Sequence, residues 1–193
     1  VKLYDAILRA DVPKQRMLEA TRGAILALGN AGLPRLLETL RSADKASFAI
    51  ALRTARELPG RAVTEALAAE LNQTPPARQS QVLLALTDRG DAAVWPAVFN
   101  AVKNGSKSLR MVAIGVLERQ GNVASLPVLL EAATDTDNEV SKAAKAALGR
   151  LPGQEVDAEI AARLPQASLP TRRVLVELAG QRRVTAAVPE LFK

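Results

Sequence analysis

Cysteine and histidine are both absent from the 193 residues of this chain. Without cysteine, the chain can form no disulfide and offers no thiolate nucleophile. Without histidine, it lacks the side chain that most often serves as a general base near neutral pH and most often binds zinc. These absences argue against every hydrolase or metalloenzyme built on either residue. We therefore predict no catalytic, metal-binding or cofactor-binding residues.

Long apolar runs and aromatic side chains are also scarce. No uninterrupted apolar stretch reaches about 18 residues, so no membrane span is predicted. Only 3% of the residues are aromatic, although 48% are hydrophobic. A core of alanine, leucine and valine favours closely packed helices, because small side chains let helix backbones approach. The chain begins at Val1 without a basic and apolar leader, and we expect it to be a fragment of a longer protein.

Prolines that open apolar runs recur at a regular spacing. Pro34, Pro96, Pro127 and Pro189 are separated by one or two times 31 residues. Two residues after each point of this pattern stands an aliphatic residue: Leu36, Leu67, Val98, Leu129, Ile160 and Leu191. Ten residues after it stand mostly residues that cap helices: Asp44, Pro75, Ser106, Asp137 and Ser168. The pattern predicts a repeating unit of one helix, a short turn and a second, capped helix.

The clearest second helices read KSLRMVAIGVL over 107–117 and DNEVSKAAKAAL over 137–148. With the glycine and Asn/Asp turns and the proline before each first helix, the chain resembles the short bacterial type of HEAT repeat. In style it is similar to HEAT arrays of large, exported, multidomain bacterial proteins. The arginine typical of the second helix is matched at Arg110 and Arg172, whereas the corresponding positions hold Met17, Phe48, Gln79 and Ser141.

The resemblance implies an all-α fold, a right-handed α-α superhelix (α-solenoid) of helix pairs. We expect residues 1–193 to form a single array. Its units are predicted near residues 1–29, 30–60, 61–90, 91–121, 122–152 and 153–182, with a partial unit at 183–193.

Positive charge concentrates on the predicted second helices, which hold 17 of the 26 basic residues and 6 of the 20 acidic ones. The sequence pI is about 10.1. In HEAT arrays the second helices line the concave side, so the resemblance implies a basic concave surface. The candidate binding residues are the cations away from predicted helix ends: Arg16, Lys45, Arg78, Lys107, Arg110, Lys142, Lys145, Arg172 and Arg173. Ordinary solvated helix faces are the competing interpretation.

The leading functional hypothesis is therefore a non-enzymatic interaction or scaffold module whose partner is an acidic protein or domain. The alternative is nucleic-acid binding, as in the HEAT-like alkylpurine DNA glycosylases. The scarcity of aromatics for base stacking argues against that alternative. Among enzymes with similar repeats, deoxyhypusine hydroxylase needs histidine ligands that this chain lacks. A role like that of the phycobilin lyases is supported by no motif.

Two short motifs have ordinary structural interpretations. Arg89-Gly90-Asp91 spells a tripeptide found in adhesion ligands, but it falls at a predicted turn between units, where glycine and aspartate are common. Asp137 and Glu139 resemble the start of a calcium loop without its later glycine and glutamate. We interpret Asp137 as a helix cap.

Overall fold

The computed structural model describes residues 2–191, apart from the side chains of residues 8 and 191. Within that range it contains α-helices, short 3₁₀ turns and no β-strand. The all-α prediction is confirmed. The chain divides into two compact units, one reaching residue 95 and the other starting at residue 96.

The first unit contains six helices joined by short turns. Their bounds are α1 (Lys2–Arg9), α2 (Lys14–Leu28), α3 (Leu33–Arg41), α4 (Lys45–Glu57), α5 (Arg61–Leu71) and α6 (Pro76–Thr87). Neighbours along the chain pack as pairs, α1 with α2, α3 with α4 and α5 with α6. In addition α2 packs on α4, and α4 packs on α6. The second helices of successive pairs therefore lie side by side.

The second unit repeats this arrangement. Its helices are α7 (Trp95–Asn104), which starts at the boundary, α8 (Lys107–Gln120), α9 (Leu126–Ala133), α10 (Asn138–Arg150), α11 (Gln154–Arg163), α12 (Leu169–Arg182) and the short α13 (Val188–Leu191). Helix α10 packs on α8, α9 and α12, and α11 packs on α12. Again one row is formed by second helices (α8, α10, α12) and another by first helices.

The predicted caps start second helices, although not all of them use a side chain. Asp44 accepts a hydrogen bond from the amide of Ser47, and Ser106 accepts one from the amide of Leu109. Asp137 accepts from the amides of the second and third residues after it. Each bond satisfies an N–H group that has no partner inside the helix. Pro75 and Ser168 occupy the N-cap position without a side-chain bond to the backbone.

Aliphatic residues at the predicted spacing lie in the core. In the first helices, five of the six singled out above are at most 1% exposed: Leu36, Leu67, Val98, Leu129 and Ile160. The side chain of the sixth, Leu191, lies outside the described residues. The second helices bury a matching series of mostly small residues: Ala20, Ala51, Val82, Ala113, Ala144 and Leu175. Small side chains at this position let adjacent second helices pack closely. The length of the repeat itself stays a prediction.

Two tight turns follow second helices with the same sequence, Leu-Pro-Gly. Gly60 after α4 has φ of 112°, and Gly153 after α10 has φ of 103°, a backbone conformation that strongly favours glycine. The leucine that opens each turn, Leu58 or Leu151, is at most 1% exposed. The two turns lie 93 residues apart, and each is held by an arginine described below.

Candidate protein-interaction surface

A polar side chain in the first turn of four second helices bonds to the end of the preceding first helix. Each donates to the carbonyl oxygen eight residues earlier: Gln79 to Leu71 (3.3 Å), Arg110 to Val102 (2.8 Å), Ser141 to Ala133 (2.6 Å) and Arg172 to Leu164 (3.1 Å). The last carbonyls of a helix have no partner within it. The arginine of the repeat pattern thus caps the first helix, and glutamine or serine performs the same task elsewhere.

Arg78 supplies such a cap from the next helix pair where residue 48 is a phenylalanine. Its guanidinium donates to the carbonyl oxygens of Ser42 (2.6 Å) and Ala43 (2.9 Å), just after α3. The guanidinium carbon lies 4.4 Å from the centre of the Phe48 ring, within the range of a cation–π contact. Arg78 is therefore engaged with its own chain.

Three further candidate cations form ion pairs with acidic residues on a neighbouring helix or turn. Lys107 lies 3.0 Å from both Asp137 and Glu139. Lys145 lies 3.2 Å from Glu177, and Arg110 lies 2.5 Å from Asp135 in addition to its bond with the backbone. Lys14, which was not among the candidates, pairs with Asp44 in the same way at 2.7 Å.

These ion pairs also shift pKa values. Hydrogen bonds from Lys107 to Glu139 and Asp137 raise the pKa of the lysine and, at Asp137, lower that of the carboxyl. Arg110 lowers the pKa of Asp135, with help from a backbone amide. Much of the positive charge on the second helices is therefore balanced by acids standing about one repeat further along the chain.

Two arginines hold the Leu-Pro-Gly turns. Arg89 donates to the carbonyl oxygens of Leu58 (2.6 Å) and Gly60 (3.1 Å), to that of Ala55, and to the Thr64 hydroxyl (3.0 Å). Burial lowers the pKa of its guanidinium. Asp91 caps the 3₁₀ turn at Ala92–Val94 and accepts from Thr64 at 2.9 Å. The Arg89-Gly90-Asp91 tripeptide is thus built into the fold.

Arg182 performs the same task 93 residues later. It donates to Leu151 O (2.6 Å) and Gly153 O (3.4 Å), with longer bonds to Leu148 and Gly149, and it pairs with Asp157 at 2.6 Å. The sequence placed both arginines near helix ends for the sake of the helix dipole. In the structure they reach across to cap the end of an earlier helix, which the sequence did not foresee.

Comparison with known families identifies these helix pairs. A family model described as HEAT repeats matches residues 64–149. This is a HEAT-repeat protein. No curated protein matches the chain. HEAT repeats generally mediate protein–protein interaction or scaffolding and are usually not enzymes.

Residues 2–191 contain no group of three or more acidic side chains placed to hold a metal ion. None of the helices in that range has the length and apolar character needed to cross a bilayer.

The candidate cations of this HEAT array fall into two groups. Arg78, Lys107, Arg110, Lys145 and Arg172 bond to carbonyls or carboxylates of their own chain, as described above. The others are exposed and make no ion pair or hydrogen bond within the described part of the chain: Arg16, Lys45, Lys142 and Arg173. These four define the free cations.

The free cations are distributed over both units. In the second unit, Lys142 on α10 and Arg173 on α12 stand 31 residues apart, at corresponding positions of second helices that pack together. In the first unit, Arg16 and Lys45 lie on the neighbouring helices α2 and α4, at positions that do not correspond. Lys142 and Arg173 thus form the most regular cationic feature that remains after the internal bonds are counted.

Proposed function

We propose that this HEAT array is a non-enzymatic interaction or scaffold module that binds an acidic protein or domain through its second helices. The observation that carries the proposal is the pair of free cations Lys142 and Arg173 on adjacent second helices. Exposed cations without an internal partner cost nothing to redirect toward a ligand, whereas Arg110 or Arg172 would first have to release a carbonyl. Arg16 and Lys45 extend the proposed surface into the first unit.

The other candidates contribute less to this proposal, although they lie on the same helices. Lys107 and Lys145 are partly exposed and already paired, so an acidic partner would have to compete with carboxylates of the chain. Surface ion pairs are individually weak, so such exchange is possible at little gain. We therefore expect charge reversal at Lys142 and Arg173 to weaken binding more than reversal at the paired lysines.

The test compares two double variants with the same change in net charge. K142E/R173E alters the free cations of the second unit, whereas K2E/R9E alters two exposed cations on the first helix α1. Binding of a fluorescent poly-glutamate peptide is measured by anisotropy at about 50 and about 200 mM salt. We expect K142E/R173E to weaken binding severalfold and K2E/R9E to leave it nearly unchanged. Equal losses, or no binding by the parent protein, would refute the proposal.

The same titration with duplex DNA separates the alternative. Binding of nucleic acid releases counterions, so the affinity would fall steeply and linearly on a log–log plot against salt. An acidic protein surface gives a shallower dependence. DNA binding that is tighter than peptide binding, has the steep slope and is lost in K142E/R173E would replace the protein-interaction proposal by nucleic-acid binding.

A further inference from the structure

Two successive grooves between first helices of the second unit differ greatly in size. The groove between α7 and α9 encloses about 70 Å³. The groove between α9 and α11 encloses about 440 Å³, which is within the range of pockets that bind small ligands or protruding side chains. Both are lined by corresponding parts of the repeat, so the residues that differ between them explain the difference.

The smaller groove is filled by side chains of its own chain. Arg110 crosses it, donating to the carbonyl of Val102 at 2.8 Å and to Asp135 at 2.5 Å. Lys103 pairs with Glu131 at 2.8 Å along its edge. An arginine stem, its charged head and a second ion pair therefore occupy the space between α7 and α9.

The larger groove lacks all four of these charged side chains. At positions 31 residues later stand shorter or neutral residues: Thr134, Ser141, Ala162 and Gln166. Ser141 makes the backbone bond that Arg110 makes, to Ala133 at 2.6 Å, and its side chain ends there. The space that an arginine fills in the first groove is left open in the second.

The lining of this α9–α11 cleft combines an apolar floor with a polar rim. Leu130 and Leu175 form part of the floor and are 4% and 0% exposed. Glu159, Gln166 and Thr171 contribute to the rim. Glu159 accepts one hydrogen bond, through Oε1 from Arg163 at 2.7 Å, and within the described residues its other carboxylate oxygen accepts none.

The charge around the cleft favours a cationic guest. Helix α11 carries Glu155, Asp157 and Glu159 against the single cation Arg163. Asp157 is taken by Arg182, which leaves Glu155 and the second oxygen of Glu159 to attract positive charge. Because Arg163 neutralises part of the Glu159 charge, an isolated cation should bind only weakly.

We propose that the α9–α11 cleft binds an arginine side chain presented by a partner protein. The aliphatic stem would lie on the leucine floor, and the guanidinium would donate to Glu159 and to the side-chain carbonyl of Gln166. Arginine combines these features, and it is the cation that anchors protein interfaces most often. Arg110 provides the internal precedent, since an arginine of this chain occupies the corresponding groove one repeat earlier.

The experiment titrates the ¹⁵N-labelled protein with N-acetyl-arginine amide and follows backbone amide shifts. The matched probe is N-acetyl-citrulline amide, which has nearly the same shape but no charge. We expect saturable shifts at Gln166, Ala167 and Thr171 with the arginine probe, at millimolar affinity, and no saturation with the citrulline probe. Equal saturation by both probes, or none with arginine, would overturn the proposal.

Three variants locate the binding. E159Q should weaken the affinity for arginine about tenfold, which is the loss expected for one hydrogen bond to a charged group. E155Q changes an exposed carboxylate on the same helix that does not line the cleft, and it should keep the parent affinity. S141R should fill the cleft from within and abolish binding, with far-UV circular dichroism confirming that the variant is folded. Unchanged binding by E159Q would refute the assignment even if S141R does not fold.

This inference is independent of the proposed function. The free cations lie on second helices and the cleft lies between first helices, so K142E/R173E should not affect the arginine titration. Loss of arginine binding in that variant would contradict the separation of the two surfaces and with it the location of the cleft site.

Discussion

Replacing Arg89 by alanine tests whether one side chain holds the turn after α4. The guanidinium donates to three carbonyls, those of Ala55, Leu58 and Gly60, and to the hydroxyl of Thr64. The substitution R89A removes all four bonds at once. Ala55 and Leu58 are at most 1% exposed, so water is poorly placed to replace the arginine at their carbonyls.

The size of the loss follows from the bonds that break. A hydrogen bond to a charged group contributes about 1.5–3 kcal/mol in mutational series. Bonds made by one side chain do not add, and part of the guanidinium remains near solvent. We therefore expect R89A to lower the free energy of unfolding by about 3 kcal/mol in total. For a chain of this length, that corresponds to a melting temperature lower by roughly 6–12 °C.

The assay is thermal and urea unfolding followed by far-UV circular dichroism. The control is R119A, which removes an exposed arginine in the last turn of α8 that makes no hydrogen bond or ion pair within the described residues; it should change stability by less than about 0.5 kcal/mol. R89K keeps the charge but not the forked donors, so it should fall between R89A and the parent protein. R182A should reproduce the loss in the second unit. An R89A protein as stable as R119A would show that the turn does not depend on these bonds.

Two other predictions concern stability. Hydrogen bonds from Lys14 and from the backbone amide and hydroxyl of Ser47 lower the pKa of Asp44 to about 2; because this is below the unfolded value of about 3.9, the stabilisation is present above about pH 4 and lost as the pH falls toward 2, so the melting temperature of D44N should fall less steeply across that window than that of the parent. Equal slopes would contradict this account. G153A should destabilise by about 1–3 kcal/mol because φ is 103° there, whereas G180A, within helix α12 and with no atom near an added methyl group, should stabilise by about 0.5–1 kcal/mol; melting temperatures that move in the same direction would contradict it.

The helix pairs could be predicted because their cause is local. Apolar residues at helical spacing, such as Val98 and Leu129, need a partner surface, and helix caps such as Asp137 satisfy N–H groups within three residues. Both effects act over a few residues and leave a regular trace in the chain. The positions of the caps and of the buried leucines therefore agree with the structure.

The roles of the cations could not be predicted in the same way. Lys107 and Lys142 are both lysines on second helices, yet one meets Asp137 and Glu139 and the other meets no partner within the described residues. The difference depends on side chains about 30 residues further along the chain and on the distance between adjacent helices. Composition indicates an excess of positive charge on the second helices but does not say which charges the fold consumes.

The α9–α11 cleft illustrates a signal that the sequence did carry. Ser141 stands where the repeat pattern has an arginine at positions 110 and 172. From the sequence alone the departure suggests only a degenerate repeat. Once Arg110 is seen to fill a groove, the same departure predicts an unfilled one. Deviations from a repeat become informative when the task of the usual residue is known.

Arg172 and Arg173 give the most direct test of the division between structural and free cations. They are adjacent on α12, have the same chemistry and are both exposed. Arg172 donates to the carbonyls of Leu164 and Pro165, each at 3.1 Å, whereas Arg173 makes no bond within residues 2–191. R172A should therefore lower the free energy of unfolding by about 1 kcal/mol, and R173A should change it by less than about 0.5 kcal/mol.

Binding should show the opposite order. If the proposed interaction surface is correct, R173A weakens the affinity for the poly-glutamate peptide, and R172A leaves it nearly unchanged under conditions where both variants are folded. Melting curves and anisotropy titrations on the same two samples measure both quantities. A protein in which R172A and R173A lose stability equally would show that the carbonyl bonds of Arg172 contribute nothing. One in which both lose affinity equally would show that the internal bonds do not withhold a cation from a partner, and the distinction between the two groups would then have to be abandoned.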